Sequence, residues 1–355
     1  MEHHHHPRDM SNLADLQEGW FWPFGFGLRI LTNTKAVLAA AQTSFGRFRD
    51  VPLWDEPGPA GRRPDFTFRL LERPRCEVLA GGLREPQSND VPEGGRGKEE
   101  GGSLDHGQLR RPDFRLDGAL AYQSMGDEAY LAANRETGLV EGYFSPAVLA
   151  NEPFFRCHFL ELAFFIMLAP RGIMGVHGAA LAKNGRAILL RAQSGGGKTT
   201  LAYAAARHKF QALAEDVVWL DVKNQLWRGI PWSFHLLPDA KNLFPELAPY
   251  QPVLQTNGEL KLEVDLEAIY PGSTTTSARP GPVILVERLP GGRSRLELLD
   301  LAQARPLWLA GFAGTELDFP DYERHIEALL TANAYRLYFG DDLEASVHLL
   351  EGLIG

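Results

Sequence analysis

The chain reads as a mixed α/β fold, a sheet with flanking helices preceded by a smaller α+β domain, and three observations predict it. An apolar run, Ala187-Ile188-Leu189-Leu190, enters the glycine-rich stretch Ala192–Thr200, and the helical pattern LAYAAARH follows. Through the C-terminal half, apolar runs of strand length alternate with helical patterns, as in a layered α/β sheet. Glycine, proline and charge dominate residues 81–113, with Gly-Gly at 81–82, 94–95 and 101–102, which marks an insertion too polar to bury much surface. At roughly 150 residues per domain, a chain of 355 residues suits two domains.

Composition narrows the function classes. Asp+Glu number 45 against 36 Lys+Arg, for a net charge of −9. That balance excludes a sequence-independent nucleic-acid binder, which needs clustered cations to neutralise phosphates. Hydrophobic residues make up 44%, enough for a real core. Two cysteines, Cys76 and Cys157, cannot build a disulfide framework or a four-thiolate zinc site, and suit a reduced, cytoplasmic setting. The most apolar run, Phe159–Ala169, spans 11 residues and carries Glu161. It is short of the roughly 20 residues a membrane span needs and reads as a buried helix. The histidines His3–His6 have the look of a tag, and residues 1–19 are set aside as a tail.

Residues 20–150 are expected to form the N-terminal α+β domain. Aromatic residues from Trp20 to Phe26 lead into an alternating strand at 27–31, and strand-like runs recur at Phe66–Leu71, 77–80, 119–123 and 128–133. A boundary near residue 150 opens the second domain, 151–355. There Asn151-Glu152-Pro153 caps a helix to Leu168, closed by Pro170 and Gly172. A strand at 175–183 meets Arg186–Arg191 through Asn184-Gly185, a hairpin signal. Strands follow at 217–221, 225–229, 283–288, 295–300 and 336–339, with helices at 198–208 and 343–353. Ser273–Ser277, flanked by proline and glycine, reads as a flexible loop, a plain linker in preference to a loop that closes over substrate, and Asp341-Asp342 as the cap of the last helix.

The sharpest signal is Ala192-Gln193-Ser194-Gly195-Gly196-Gly197-Lys198-Thr199-Thr200, between a strand and a helix. Glycines let successive backbone N–H groups turn inward around phosphate oxygens, and the helix N-terminus adds partial positive charge. The P-loop (Walker A) pattern G-x-x-x-x-G-K-[ST] is met from Gly197 onward, with Ala192 in place of its first glycine. Ser194, Gly195, Gly196, Gly197, Lys198, Thr199 and Thr200 are therefore the expected phosphate-binding set. Lys198 supplies charge for the β- and γ-phosphates, and the Thr199 hydroxyl is placed to ligate Mg²⁺.

Carboxylates follow the loop helix at Glu215-Asp216. Side by side before a buried strand, they call for a cationic partner, which Mg²⁺ on a nucleotide would supply. One would hold the metal and the other act as base toward an attacking hydroxyl. On spacing alone, Asp221 at the end of its strand, or Glu287 after Val283–Val286, could take the metal role instead. His177, on the strand two before the loop, is a further candidate.

His177-Gly178, the hairpin, the P-loop and Ala214-Glu215-Asp216-Val217 together resemble the catalytic domain of the HPr kinase/phosphorylase family, including the related serine kinases of peptide-modification clusters. The spacing agrees with that family, 21 residues from His177 to Lys198 and 17 from Lys198 to Glu215. The resemblance covers roughly residues 170–230. It implies a P-loop kinase domain of HPr-kinase-like type, using ATP and Mg²⁺ to phosphorylate a hydroxyl. It implies Glu215, where the family has Asp, as the catalytic base with His177 beside it and Lys198 on the phosphates, and Asp216 with Thr199 on the metal. Arg228-Gly229 would match the family's arginine–glycine strand. The acceptor is a serine of a peptide or protein, or a small alcohol, and the N-terminal domain is expected to help shape its site. No nucleic-acid or membrane partner is expected, and the resemblance allows a homo-oligomer. A P-loop ATPase or nucleotide-binding regulatory module without a phosphorylated product is the alternative.

Overall fold

The computed structural model describes residues 16–48, 63–73, 111–193, 195–255, 258–311 and 319–354, and elements are counted among these. His3–His6, Cys76, the strand expected at 77–80, residues 81–110 of the expected insertion and Ser194 lie outside the described residues. The fold is mixed α/β, and the chain divides into two compact units, Met1–Met167 and Leu168–Gly355. This division falls later than the boundary expected near residue 150.

In the first unit, strands β1 (Gln17–Phe21), β2 (Leu28–Thr32), β3 (Phe66–Glu72), β4 (Asp113–Asp117), β5 (Leu120–Met125), β6 (Ala129–Asn134) and β7 (Leu139–Phe144) form one sheet in the order β1-β2-β3-β7-β6-β5-β4. The first strand thus starts inside the stretch set aside as a tail. Helix α1 (Lys35–Phe45) is capped by the Thr34 hydroxyl. A second helical run is built from α2 (Pro146–Ala150), α3 (Glu152–Phe155), a π-helical turn at Arg156–Glu161 and α4 (Leu162–Ile166). Phe164 meets Phe24, Phe45 and Phe66 with ring centroids 5.4–5.8 Å apart. Those contacts draw the helix into this core, which is why the boundary lies after it.

Glu161 is tolerated in the apolar run because it is paired. Its Oε1 accepts from the Ser44 hydroxyl at 2.6 Å and from the Arg156 guanidinium at 3.3 Å. The helical run Glu152–Arg171, 20 residues, is long and apolar enough to cross a membrane by length and composition, contrary to the sequence expectation. Its Phe154, Phe155, Phe159 and Phe164 are buried.

The second unit contains β8 (Ile173–His177), β9 (Ala179–Lys183), β10 (Arg186–Arg191), α5 (Lys198–Arg207), β11 (Gln211–Ala214), β12 (Val217–Asp221), β13 (Leu226–Arg228) and β14 (Phe234–Leu236). It continues through β15 (Pro252–Leu254), β16 (Leu260–Val264), α6 (Leu266–Ile269), β17 (Ser277–Arg288), β18 (Arg295–Leu299), α7 (Leu301–Ala310), α8 (Tyr322–Asn333), β19 (Ala334–Phe339) and α9 (Leu343–Ile354). The main sheet runs β11-β9-β10-β17-β13-β12-β8, with β19 pairing β17 and β18; β14-β16-β15 form a small separate sheet.

Parallel pairing of β10 with β17 and of β17 with β19 brings three strand carboxyl ends to one edge. Along β10, Ile188 and Leu190 enter the core under α5 and α9, while Ala187 and Leu189 enter the core under α7 and α8. Burial on both faces explains why this strand reads as an unbroken apolar run.

The single strand expected at 175–183 is two. Gly178 breaks it: its N–H donates to Asp216 O at 2.7 Å, and a Cβ there would lie 2.8 Å from Leu190 O. β8 then pairs β12, while β9 pairs β10 and β11. Asn184 and Gly185 make the expected hairpin turn with φ of 53° and 75°, as a type I′ turn requires. The Ser273–Ser277 stretch is tied rather than free, since Thr275 N–H donates to Ala212 O at 2.9 Å. Asp342 caps α9 by accepting from Ala345 N–H at 2.9 Å.

Candidate functional site

The glycine loop leaves β10 at Arg191 and enters α5 at Lys198. Gly197 is left-handed, at φ 86°, and a Cβ there would lie 2.7 Å from Phe339 Cε1, so the loop needs glycine both for its backbone and for its closeness to β19. Ala192 is not among the described residues with positive φ, so alanine stands there without strain. No side chain caps α5, and its first amides face the loop end.

Lys198 is buried, with Nζ 3.1 Å from both His177 Nε2 and Ala192 O. Burial holds its ammonium below the usual lysine range, opposed by the charge of Asp216, helped by that of Arg191 and opposed again by Glu215. On the other side of the His177 ring, Nδ1 lies 3.3 Å from Asp216 Oδ1. An ammonium only donates, so Nε2 accepts and Nδ1–H donates to the carboxylate; this assigns the tautomer from the hydrogen bonds. The His177 backbone is fixed from below by Arg191, which is fully buried. Arg191 donates to His177 O at 2.8 Å and to Trp308 O at 3.0 Å, and its guanidinium lies 4.0 Å from the Trp308 ring centroid.

Glu215 takes the other direction. Its Oε1 accepts from the Thr199 hydroxyl at 2.8 Å, and its Oε2 lies 3.0 Å from His235 Nδ1. Its side chain is 12% exposed, against 65% for Asp216. Burial pulls the His235 imidazole down, but the hydrogen bond and charge of Glu215 outweigh it, and the net displacement is upward.

The pairing implied by the family resemblance is thus exchanged. His177 stands beside Asp216 rather than Glu215, and Thr199 beside Glu215 rather than Asp216. Antiparallel pairing of β8 and β12 explains it: Val217 lies opposite His177, so the residue just before Val217 meets the imidazole. Glu215, one position earlier, turns toward α5.

Asp221 lies elsewhere. It sits opposite Ile173, at the far end of β12 from His177, a strand length of roughly 13 Å. Its carboxylate accepts from Asn224 at 2.8 and 2.9 Å and from Arg228 at 3.0 and 3.2 Å. Burial raises its pKa, but these donors outweigh burial and leave it below the usual carboxylate range. Arg228 is engaged in the same pair, away from the loop. Glu287 is paired with Arg336 and lines a cleft of about 410 Å³ together with Gly195 and Gly196.

Sequence reasoning missed His235 and Arg191. His235 stands alone in β14, 20 residues from Glu215, and only the packing of the small sheet brings it in. Arg191 ends the loop strand, and a charge at the close of an apolar run was its one signal.

The oxygen set fits a hard divalent cation. Thr199 and Glu215 offer a hydroxyl and a carboxylate side by side, and Mg²⁺ is commonly held by one or two carboxylates plus substrate phosphates. Among the described residues no group of three or more His, Cys, Asp and Glu could hold a metal without such a substrate.

No family model matches the chain, and no curated protein matches it. Among solved structures, the Hpr(Ser) kinase/phosphatase from Coxiella burnetii is similar to it at 12% sequence identity and a TM-score of 0.26, over 50% of this chain and 94% of that one.

Proposed function

We propose that the second unit is an ATP- and Mg²⁺-dependent phosphotransferase that moves the γ-phosphoryl group to a hydroxyl acceptor, a serine of a peptide or protein or a small alcohol. The observation that carries this reading is the chain Lys198–His177–Asp216 set against the Thr199–Glu215 pair, all at the N-terminus of α5. The glycine-loop amides and Lys198 hold the phosphates, with Lys198 exchanging Ala192 O for a phosphate oxygen. Asp216 is open to solvent, so an acceptor hydroxyl can reach it. It takes the hydroxyl proton as the acceptor oxygen bonds to phosphorus and the bond to the ADP oxygen breaks. His177 holds the Asp216 carboxylate in place through Nδ1–H. Thr199 and Glu215 would hold the cation, and it would supply charge to neutralise the phosphates.

The test is transfer of γ-labelled phosphate from Mg²⁺-ATP into a size-fractionated extract of the source organism, with wild type and Asp216→Asn side by side. Label entering a discrete fraction with wild type alone supports the reading and names the acceptor class. Label released only as free phosphate would replace it with a hydrolase.

A further inference from the structure

The glycine loop has two unlike sides. Leu190 near the end of β10 lies opposite Ala179 at the start of β9, and Ala214 at the end of β11 lies opposite Ala180, so His177, just before β9, and the acids, just after β11, reach the loop from the β9 side of β10. On the other side, over the carboxyl end of β17 and Arg336 of β19, opens the cleft of about 410 Å³. Its volume falls within the roughly 300–1,000 Å³ of small-ligand pockets. Gly195 and Gly196 form part of its wall, so a chain of phosphates lying on the loop has one end at Asp216 and the other at the cleft mouth.

The walls differ in chemistry. Leu285, Val286, Leu307 and Ala310 are apolar; Gln193, Arg191, Arg288 and the Glu287–Arg336 pair are polar, and Glu287 is the one carboxylate among the described lining residues. Glu287 follows Leu285 by two residues on β17, so both point to the α7 side, where Leu307 and Ala310 lie. Its side chain is 44% exposed and retains acceptor capacity beyond its bond to Arg336. A carboxylate beside a phosphate cradle is suited to the hydroxyls of a ribose, and the apolar walls to the faces of a base.

We infer that this cleft takes the nucleoside of the phosphate donor, with Glu287 accepting from the ribose 2′- and 3′-hydroxyls. The inference rests on the phosphotransferase reading for the direction of the phosphates. It makes the site selective for ribonucleoside triphosphates over inorganic polyphosphate and over donors lacking the ribose hydroxyls.

The test is binding of inorganic triphosphate, ATP and 2′,3′-dideoxy-ATP to the full chain with Mg²⁺, by calorimetry. Wild type is expected to bind ATP more tightly than triphosphate, and roughly tenfold more tightly than the dideoxy analogue, as hydrogen bonds to a charged group warrant. Glu287→Ala should bring the ATP-to-dideoxy ratio close to 1 with triphosphate binding not weakened. Ala310→Trp, at an exposed position, should fill the cleft and bring ATP down to the affinity of triphosphate. Equal binding of ATP and triphosphate by wild type, or a dideoxy ratio that Glu287→Ala leaves unchanged, would overturn the inference and leave the phosphate site standing. If neither ATP nor triphosphate binds wild type, the phosphotransferase reading falls and takes the inference with it.

Discussion

The Thr199 hydroxyl donates to Glu215 at 2.8 Å, which places the first of the two adjacent acids, not the second, at the start of the loop helix. The second, Asp216, is left to His177 and to solvent. Adjacent carboxylates of one loop thereby occupy different environments, one partly buried against a hydroxyl and one exposed against an imidazole.

That difference separates the two acids kinetically. Asp216→Asn should lower the transfer rate by about 10²–10⁴-fold, the usual worth of a general base, with nucleotide affinity held. Glu215→Gln should instead raise the Mg²⁺ concentration needed for half-maximal rate. Initial rates against Mg²⁺ at fixed ATP, with ATP binding measured in parallel, check both. The reverse pattern would restore the assignment implied by the family resemblance.

His235 fixes the free oxygen of Glu215, and loss of a group that orients a metal ligand typically costs about 10–100-fold in metal affinity. His235→Ala should shift the Mg²⁺ dependence by that order at unchanged saturating rate. His235→Asn, whose amide N–H can stand in for Nδ1–H, should recover most of it.

The same contact has a pH signature. The His235 pKa is raised in the folded state, so its stabilisation is complete below the ordinary histidine value of about 6.5 and is lost as pH rises through the raised value. The difference in unfolding free energy between wild type and His235→Asn, measured by denaturant titration, should therefore shrink from pH 6 toward pH 9.

Asp221 is structural. Breaking its pair with Arg228 should cost about 3 kcal/mol, because a guanidinium only 16% exposed loses its carboxylate. Asp221→Asn should lower the unfolding midpoint yet leave Mg²⁺-ATP binding within about twofold, once compared at equal folded fraction. Its folded pKa is depressed, so this stability is present above about pH 4 and is lost as pH falls through the lowered value. Loss of nucleotide binding in a folded Asp221→Asn protein would return the metal role to this residue.

Gly197→Ala should abolish nucleotide binding with little change in fold. A Cβ at φ 86° is strained, and it would meet the Phe339 ring at 2.7 Å. Calorimetric titration with ATP, beside a thermal melt, checks both halves.

Local chemistry was legible along the chain. The Asn184-Gly185 turn, β10, the glycine loop and α5 all follow from residues within a dozen positions of one another, where backbone φ, turn type and helix starts are decided by neighbours. The strands at 66–71, 217–221 and 336–339 were found for the same reason, as runs buried on one or both faces. Helix α1 and the small sheet β14-β16-β15 were missed, since their patterns are weak alone and their burial comes from partners distant in sequence.

The sequence by itself determined a mixed α/β chain with a glycine loop opening a helix, and two acids and a histidine within reach of it. The tertiary structure alone decided which acid meets which partner. Glu215 and Asp216 form the two-residue bend between β11 and β12, and the register that sets Val217 against His177 leaves Asp216 beside the imidazole while Glu215 reaches Thr199 and His235. No spacing along the chain records that register.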